Sequence, residues 1–161
     1  MTERLASGSL AGHERTVGRQ PQARRRSQTM IHDLDQVPER TAPAVKLCGL
    51  ILREALVRGQ TDLRLCGGDS HNGVDVLGVQ YLVNGAWSDV MKIPANPGAA
   101  VLARLRAMCD EDPAHHPQGE GTFVVRAQDI EASVTAQFRQ NAAGTDDVRL
   151  QLTLAAPRAD A

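Results

Sequence analysis

The chain has 161 residues, enough for one domain with a tail, and combines an ordinary hydrophobic fraction of 42% with an aromatic fraction of only 2%. Trp87, Tyr81, Phe123 and Phe138 are the whole aromatic complement, which argues against a base-stacking surface for single-stranded nucleic acid. Residues 1–29 hold six Arg against two acids and the remainder twelve Lys/Arg against seventeen Asp/Glu, so the body is acidic, unlike a nucleic-acid binder.

Residues 1–40 are rich in Arg, Gln, Ser, Gly and Thr without apolar periodicity, and read as a disordered basic tail. The cluster Arg24-Arg25-Arg26 admits an electrostatic contact with phosphate or an acidic lipid surface, or a solvated run, and the second is preferred. Met30 offers an alternative translation start. From residue 41 to 156 the pattern is that of a single α+β domain, and residues 157–161 read as a disordered end.

A helix is expected from Ala44 to Arg58, because Cys48, Ile51, Leu52, Ala55 and Leu56 recur on one face, with Pro43 before and Gly59 after. Thr61 to Cys66 reads as a short strand, residues 67–73 as a glycine-rich loop, and Val74 to Val83 as a strand bulged near Gly78. Asn84-Gly85 is a hairpin signal, since a type I′ turn needs positive φ at both central residues. The return strand runs from Ala86 to Ile93. Asn96 is expected to cap a second helix with Pro97 at its first position, and Val101, Leu102, Leu105, Met108 and Cys109 form its apolar stripe.

Residues 110–121 read as a polar loop. Three strands follow, around Phe123–Ala127, Ile130–Phe138 and Val148–Leu154, the last two joined by a turn at Asn141–Asp146. Their alternation of apolar and polar residues means one packed face and one wet face, as in an antiparallel sheet. The expected fold is therefore α+β, an antiparallel sheet of five to six strands with two helices packed on one face.

Candidate chemistry is sparse. Asp69, Ser70 and His71 include triad residue types, but three consecutive loop residues do not line up as nucleophile, base and orienter. His115-His116 beside Asp110, Glu111, Asp112 and Glu120 lack the spacing of a zinc site. No catalytic, cofactor-binding or metal-ligating residue is assigned. Cys48, Cys66 and Cys109, an odd and widely spaced set, read as reduced, buried thiols of a cytoplasmic protein. Trp87 admits an exposed contact role or partial burial, the latter preferred.

Residues 50–65, Leu-Ile-Leu-Arg-Glu-Ala-Leu-Val-Arg-Gly-Gln-Thr-Asp-Leu-Arg-Leu, resemble the "LLREAI..GASDIHIEP" segment of the type II secretion and type IV pilus assembly ATPases. Asp62 falls at the position of the family Asp, Tyr81-Leu82-Val83-Asn84-Gly85 is similar to "RYRVDG", and Pro117-Gln118-Gly119 to "PQDG". The helix Val101–Cys109 followed by Asp110 looks like "RLKVLAGLD". The resemblance spans about Val45 to Leu154 and implies the PAS-like subdomain that precedes the motor. No G-x-x-x-x-G-K-[ST] loop occurs in the sequence, so the motor is not expected here.

The departures matter. Gln80 and Leu82 stand where the family strand has Arg on either side of its Tyr, and His115 and His116 replace basic residues before Pro117. Family arginines in this subdomain are thought to reach the motor's nucleotide, a role Gln and Leu cannot serve. Arg64 and Arg126 remain on strands without an assigned role. The resemblance implies a non-catalytic interaction module docking on a secretion or pilus component or a motor subunit, without cofactor, nucleic acid or membrane span. Two alternatives stay open: a detached regulatory half of a split ATPase acting in trans, and a PAS-like small-molecule sensor.

Overall fold

The computed structural model describes residues 29–115, 119–140 and 146–156. The elements in chain order are β1 (Ile31–Asp33), α1 (Pro43–Val57), β2 (Asp62–His71), β3 (Val74–Val83), β4 (Ala86–Pro94), α2 (Ala95–Met108), β5 (Glu120–Ala127), β6 (Ile130–Gln140) and β7 (Asp146–Leu154), with one 3₁₀ turn at Pro113–His115. The strands form one sheet in the order β1-β5-β6-β7-β2-β3-β4. Only β1 runs parallel to its neighbour; every other pair is antiparallel. Two meanders, β2-β3-β4 and β5-β6-β7, are thus joined side by side through β2 and β7, with Leu63 opposite Leu150 and Arg64 opposite Arg149.

Period-two alternation decides what each face does. Leu63, Leu65, Val79, Phe123, Val125, Ala132, Val134, Ala136, Val148, Leu150 and Leu152 are buried on the inner face. There they meet Cys48, Ile51, Leu52, Ala55 and Leu56 of α1 and Val101, Leu102, Leu105 and Met108 of α2. Each fully buried Leu or Val contributes roughly 1.5–3 kcal/mol of transfer free energy, enough to hold two helices that have no side-chain cap. The space bounded by Cys48, Ile51, Leu52, Leu65, Val101, Leu105 and Leu150 has no room for even a water molecule.

Among the described residues the sheet has seven strands, not five to six. The addition is β1, which lies within the stretch 1–40 expected to be disordered. Three residues carry no readable alternation; β1 is held instead by pairing with Val124–Arg126 and by neighbouring contacts. His32 sits edge-on to Phe123 at 6.1 Å between ring centroids, Asp33 pairs with Arg126 at 3.1 Å, and Leu34 is buried.

The expected loop at 67–73 is also corrected. Strand β2 continues to His71, and Asn72-Gly73, with φ of 53° and 77°, turns the chain directly into β3. Gly67 and Gly68 stand together opposite Leu77 as a bulge, and the β3–β4 register shifts between Val79 and Gln80, so irregularities flank Gly78, near which one is expected. Asn96 does not cap α2, which starts at Ala95 with Pro94 as its N-cap residue. Pro97 is tolerated in the first turn because the N–H it lacks would have had no acceptor within the helix.

Candidate interaction surface

Both helices pack on the inner face, and the outer face is left open by the described residues. Register places one outward residue from each of six strands in a single row: Glu120, Gln137, Arg149, Arg64, Gln80 and Asp89. The row is hydrogen-bonded in segments. The Gln137 amide donates to Glu120 at 3.2 Å. Arg64 donates twice to Gln80 Oε1, from Nε at 3.0 Å and Nη2 at 2.6 Å, and the Gln80 amide donates to Asp89 at 2.6 Å.

At the centre of the row Arg64 and Arg149 stand directly opposite each other across β2 and β7, a like-charge pairing that by itself destabilises a sheet. Trp87 of β4 lies over both: its ring centroid is 4.7 Å from the Arg64 guanidinium carbon and 5.6 Å from that of Arg149. The negative face of the indole offsets part of the repulsion, by about 0.5–1 kcal/mol per contact at an exposed site. The ring is half-buried, as preferred from the sequence.

Asp62 completes the cluster. It accepts a hydrogen bond from Arg149 Nη2 at 3.1 Å. Burial pushes its carboxyl up, but hydrogen bonds from Arg149, Thr61 and Gln151 outweigh that and hold it below its ordinary value. Beside the row a cleft of about 320 Å³ is lined by Arg64, Trp87, Gln137, Arg139, Gln140, Asp147, Val148 and Arg149.

Of the family-motif positions, the structure brings Asp62 to this cluster and disperses the others. Tyr81 is on the inner face opposite Leu63, where burial raises its phenol pKa; it is a core residue. Asn84 and Gly85 form the exposed β3–β4 turn with φ of 50° and 79°, the expected type I′ signature. That turn fixes the register which sets Trp87 opposite Leu82. Pro117, Gln118 and His116 lie outside the described residues.

Arg64, Trp87 and Arg149 were not assigned as a site from the sequence. The signal was there in part: all three sit at outward positions of alternating strands. Their meeting depends on the β2–β7 pairing, which joins residues far apart in the chain. Gln80, read as a lost arginine, is the residue that holds Arg64 in place. Ser70 and His71 are successive strand residues on opposite faces, which removes the triad geometry. Among the described residues no group of three or more His, Cys, Asp or Glu could hold a metal ion. None of the described helices is long and apolar enough to cross a membrane.

No protein-family model matches the sequence, and no curated protein matches it. Among solved structures the chain is similar to the ATPase DotB of Legionella pneumophila, at 12% identity and a TM-score of 0.43. The match covers 79% of this chain and 32% of that one, so the chain spans about a third of that protein's length.

Proposed function

We propose that this chain is a non-catalytic protein-interaction module that docks a partner on the open face of its sheet. The observation that carries the reading is the outer row itself. A sheet face left open by the described residues has an arginine pair and the chain's single tryptophan at its centre, and such residues concentrate binding energy at interfaces. The ordered motif resemblance makes a secretion or pilus assembly component, in the cytoplasm, the partner class to test first. The sequence holds no phosphate-binding loop, in keeping with a module that does not hydrolyse ATP itself.

The test is co-purification from the native host with variants on either face. Ser133→Arg and Gln151→Arg change outward residues of β6 and β7, whereas Ala107→Arg changes an exposed residue of α2. A partner captured by the wild type is expected to be lost with the first two and kept with the third. Loss with Ala107→Arg alone would move the docking surface to the helices. ATP turnover by the purified chain at the rate of a secretion motor would defeat the non-catalytic part.

A second reading, a small-molecule sensor, rests on a cleft of about 500 Å³ between α2 and the β2–β3 hairpin, lined by Gly67, Gly68, Val76, Leu77, Gly98, Leu102 and Arg106 among others. The tightly packed core between helices and sheet disfavours a ligand enclosed there. Native mass spectrometry of the purified chain checks this reading: a stoichiometric small molecule retained by the protein would favour it over docking.

A further inference from the structure

We infer that the cleft beside Trp87 recognises the carboxylate side chains of an acidic peptide segment, gripped by Arg64, Arg149 and Arg139. The inference rests on the docking reading above and names the chemistry of the docked segment. Three features carry it.

The first is charge. The body from residue 30 onward has more acids than bases, yet the cleft lining holds three arginines against one acid, Asp147. Asp147 is already committed, accepting the Gly67 backbone N–H at 3.0 Å. A cationic island on an acidic body selects an anionic segment and repels other parts of similar chains.

The second is uncommitted donors on arginines that are already positioned. A guanidinium offers five N–H groups. Arg64 spends two on Gln80 and Arg149 one on Asp62, while the Arg139 side chain, opposite Asp147 in the β6–β7 register, makes no hydrogen bond or ion pair among the described residues. Contact with Trp87, together with the hydrogen bonds to Gln80 and Asp62, restrains the first two, so less side-chain freedom remains to be lost when a carboxylate bridges them. Such a bridge would also relieve the direct opposition of Arg64 and Arg149.

The third separates a peptide from a free anion. The cleft is open, and Trp87 supplies an apolar wall. An inorganic anion cannot use that wall. The methylene groups of Glu, or an aliphatic neighbour in the same segment, can cover it while the carboxylate reaches the arginines.

Trp87 is the only tryptophan, so its fluorescence reports this site alone. The experiment titrates the full chain with a Glu-rich decapeptide, an otherwise identical Gln peptide and inorganic phosphate, at low and at physiological salt. The expected result is a saturable change of Trp87 emission with the Glu peptide only, weaker at higher salt. Arg149→Gln and Arg64→Lys are expected to weaken it at least tenfold, the latter because charge is kept but the fork is lost. Arg139→Gln breaks no described contact, so it should weaken binding several-fold without affecting folding. Arg106→Gln, on α2 and stacked on Phe138, should leave it unchanged.

No response to the Glu peptide, an equal response to the Gln peptide, or phosphate binding as tightly as the peptide would overturn the inference. The two proposals fail separately. If the peptide does not bind but Ser133→Arg and Gln151→Arg still abolish partner capture, the docking face stands and its acidic specificity falls. If the peptide binds but capture ignores both outer-face variants, the carboxylate site stands and the docking reading falls.

Discussion

The Arg64 guanidinium is held on two sides: its carbon lies 4.7 Å from the centroid of the Trp87 ring, and its Nη2 donates to Gln80 at 2.6 Å. Strand β2 contributes the arginine and β4 the indole, with β3 between them. The contact therefore spans a three-stranded meander and depends on the register of both hairpins, so it reports on that register as well as on the surface it builds.

Replacing Arg64 by Ala should uncover the indole. The expected outcome is a red shift of tryptophan emission and a net stability change of less than about 1 kcal/mol, because losing one cation–π contact and the hydrogen bonds to Gln80 is set against relief of the Arg64–Arg149 opposition. Arg64→Lys keeps the charge opposite Arg149 but loses the fork on Gln80, so it should not recover the original emission. Steady-state fluorescence and urea unfolding read both quantities. Unchanged emission in Arg64→Ala would mean that Trp87 is not covered by this side chain in solution.

Two glycines should respond with opposite sign to the same chemical change. Gly49 lies within α1, and an added Cβ would meet nothing within 4 Å, so Gly49→Ala should stabilise by about 1 kcal/mol through helix propensity. Gly73 also has open space around it, but its φ of 77° belongs to the left-handed region. Gly73→Ala should therefore destabilise by roughly 1–2 kcal/mol from backbone strain alone. Chemical denaturation of both variants is the check. A neutral Gly73→Ala would mean that the Asn72-Gly73 turn differs from the one described.

The three thiols should separate by reactivity. Burial pushes the Cys48 thiol up to about 12 and the Cys109 thiol to about 11, so neither yields much thiolate at pH 8. Cys66 and Cys109, expected to be buried, are only half-buried, and Cys66 is on the outer face. Brief iodoacetamide treatment of the folded chain at pH 8, followed by peptide mass analysis, is expected to modify Cys66 ahead of the other two. Equal labelling of Cys48 would indicate that the interface between α1 and α2 opens readily.

How much of this was legible in the sequence varied with the kind of signal. The long periodic elements were readable because burial imposes a period: Cys48, Ile51, Leu52, Ala55 and Leu56 on a helix, Ala132, Val134, Ala136 and Phe138 on a strand. The Asn72-Gly73 turn escaped although it carries the same dipeptide as Asn84-Gly85. The preceding Gly67-Gly68 and polar residues hide the alternation a strand reading needs, and only pairing with β3 shows that the chain stays extended. Strand β1 escaped because what holds it is not local: its partners are Val124, Val125 and Arg126. The candidate surface was half visible. Asp62 was singled out by resemblance, while its neighbours Arg64, Arg149 and Trp87 had appeared only as polar or ambiguous members of separate strands.

The last prediction concerns Asp35, which ties three segments together. Its carboxylate accepts the Gln128 backbone N–H at 2.6 Å and the Arg53 Nε at 2.9 Å, so one side chain joins the segment after β1, the β5–β6 turn and α1. The Gln128 N–H is the larger influence and Arg53 the second, and together they hold the carboxyl below its ordinary value. Gln128 and Asp129 have φ of 48° and 64°, so this turn is built from two non-glycine residues in a conformation they rarely adopt. An acceptor fixed on the Gln128 N–H supports that conformation. Because the folded-state pKa is lowered, the stabilisation is fully present above the unfolded-state value and is lost as pH falls through the folded-state value. For a carboxyl of this type the loss sets in below about pH 4. Asp35→Asn should therefore lower the melting temperature at pH 7, and the gap to the wild type should narrow progressively as the pH falls below the unfolded-state value and the wild-type carboxyl takes up its proton. Backbone amide exchange at Gln128 should speed up in the variant at pH 7. A melting-temperature gap that stayed constant while the wild-type carboxyl became protonated would show that the ionised carboxylate is not what secures the β5–β6 turn.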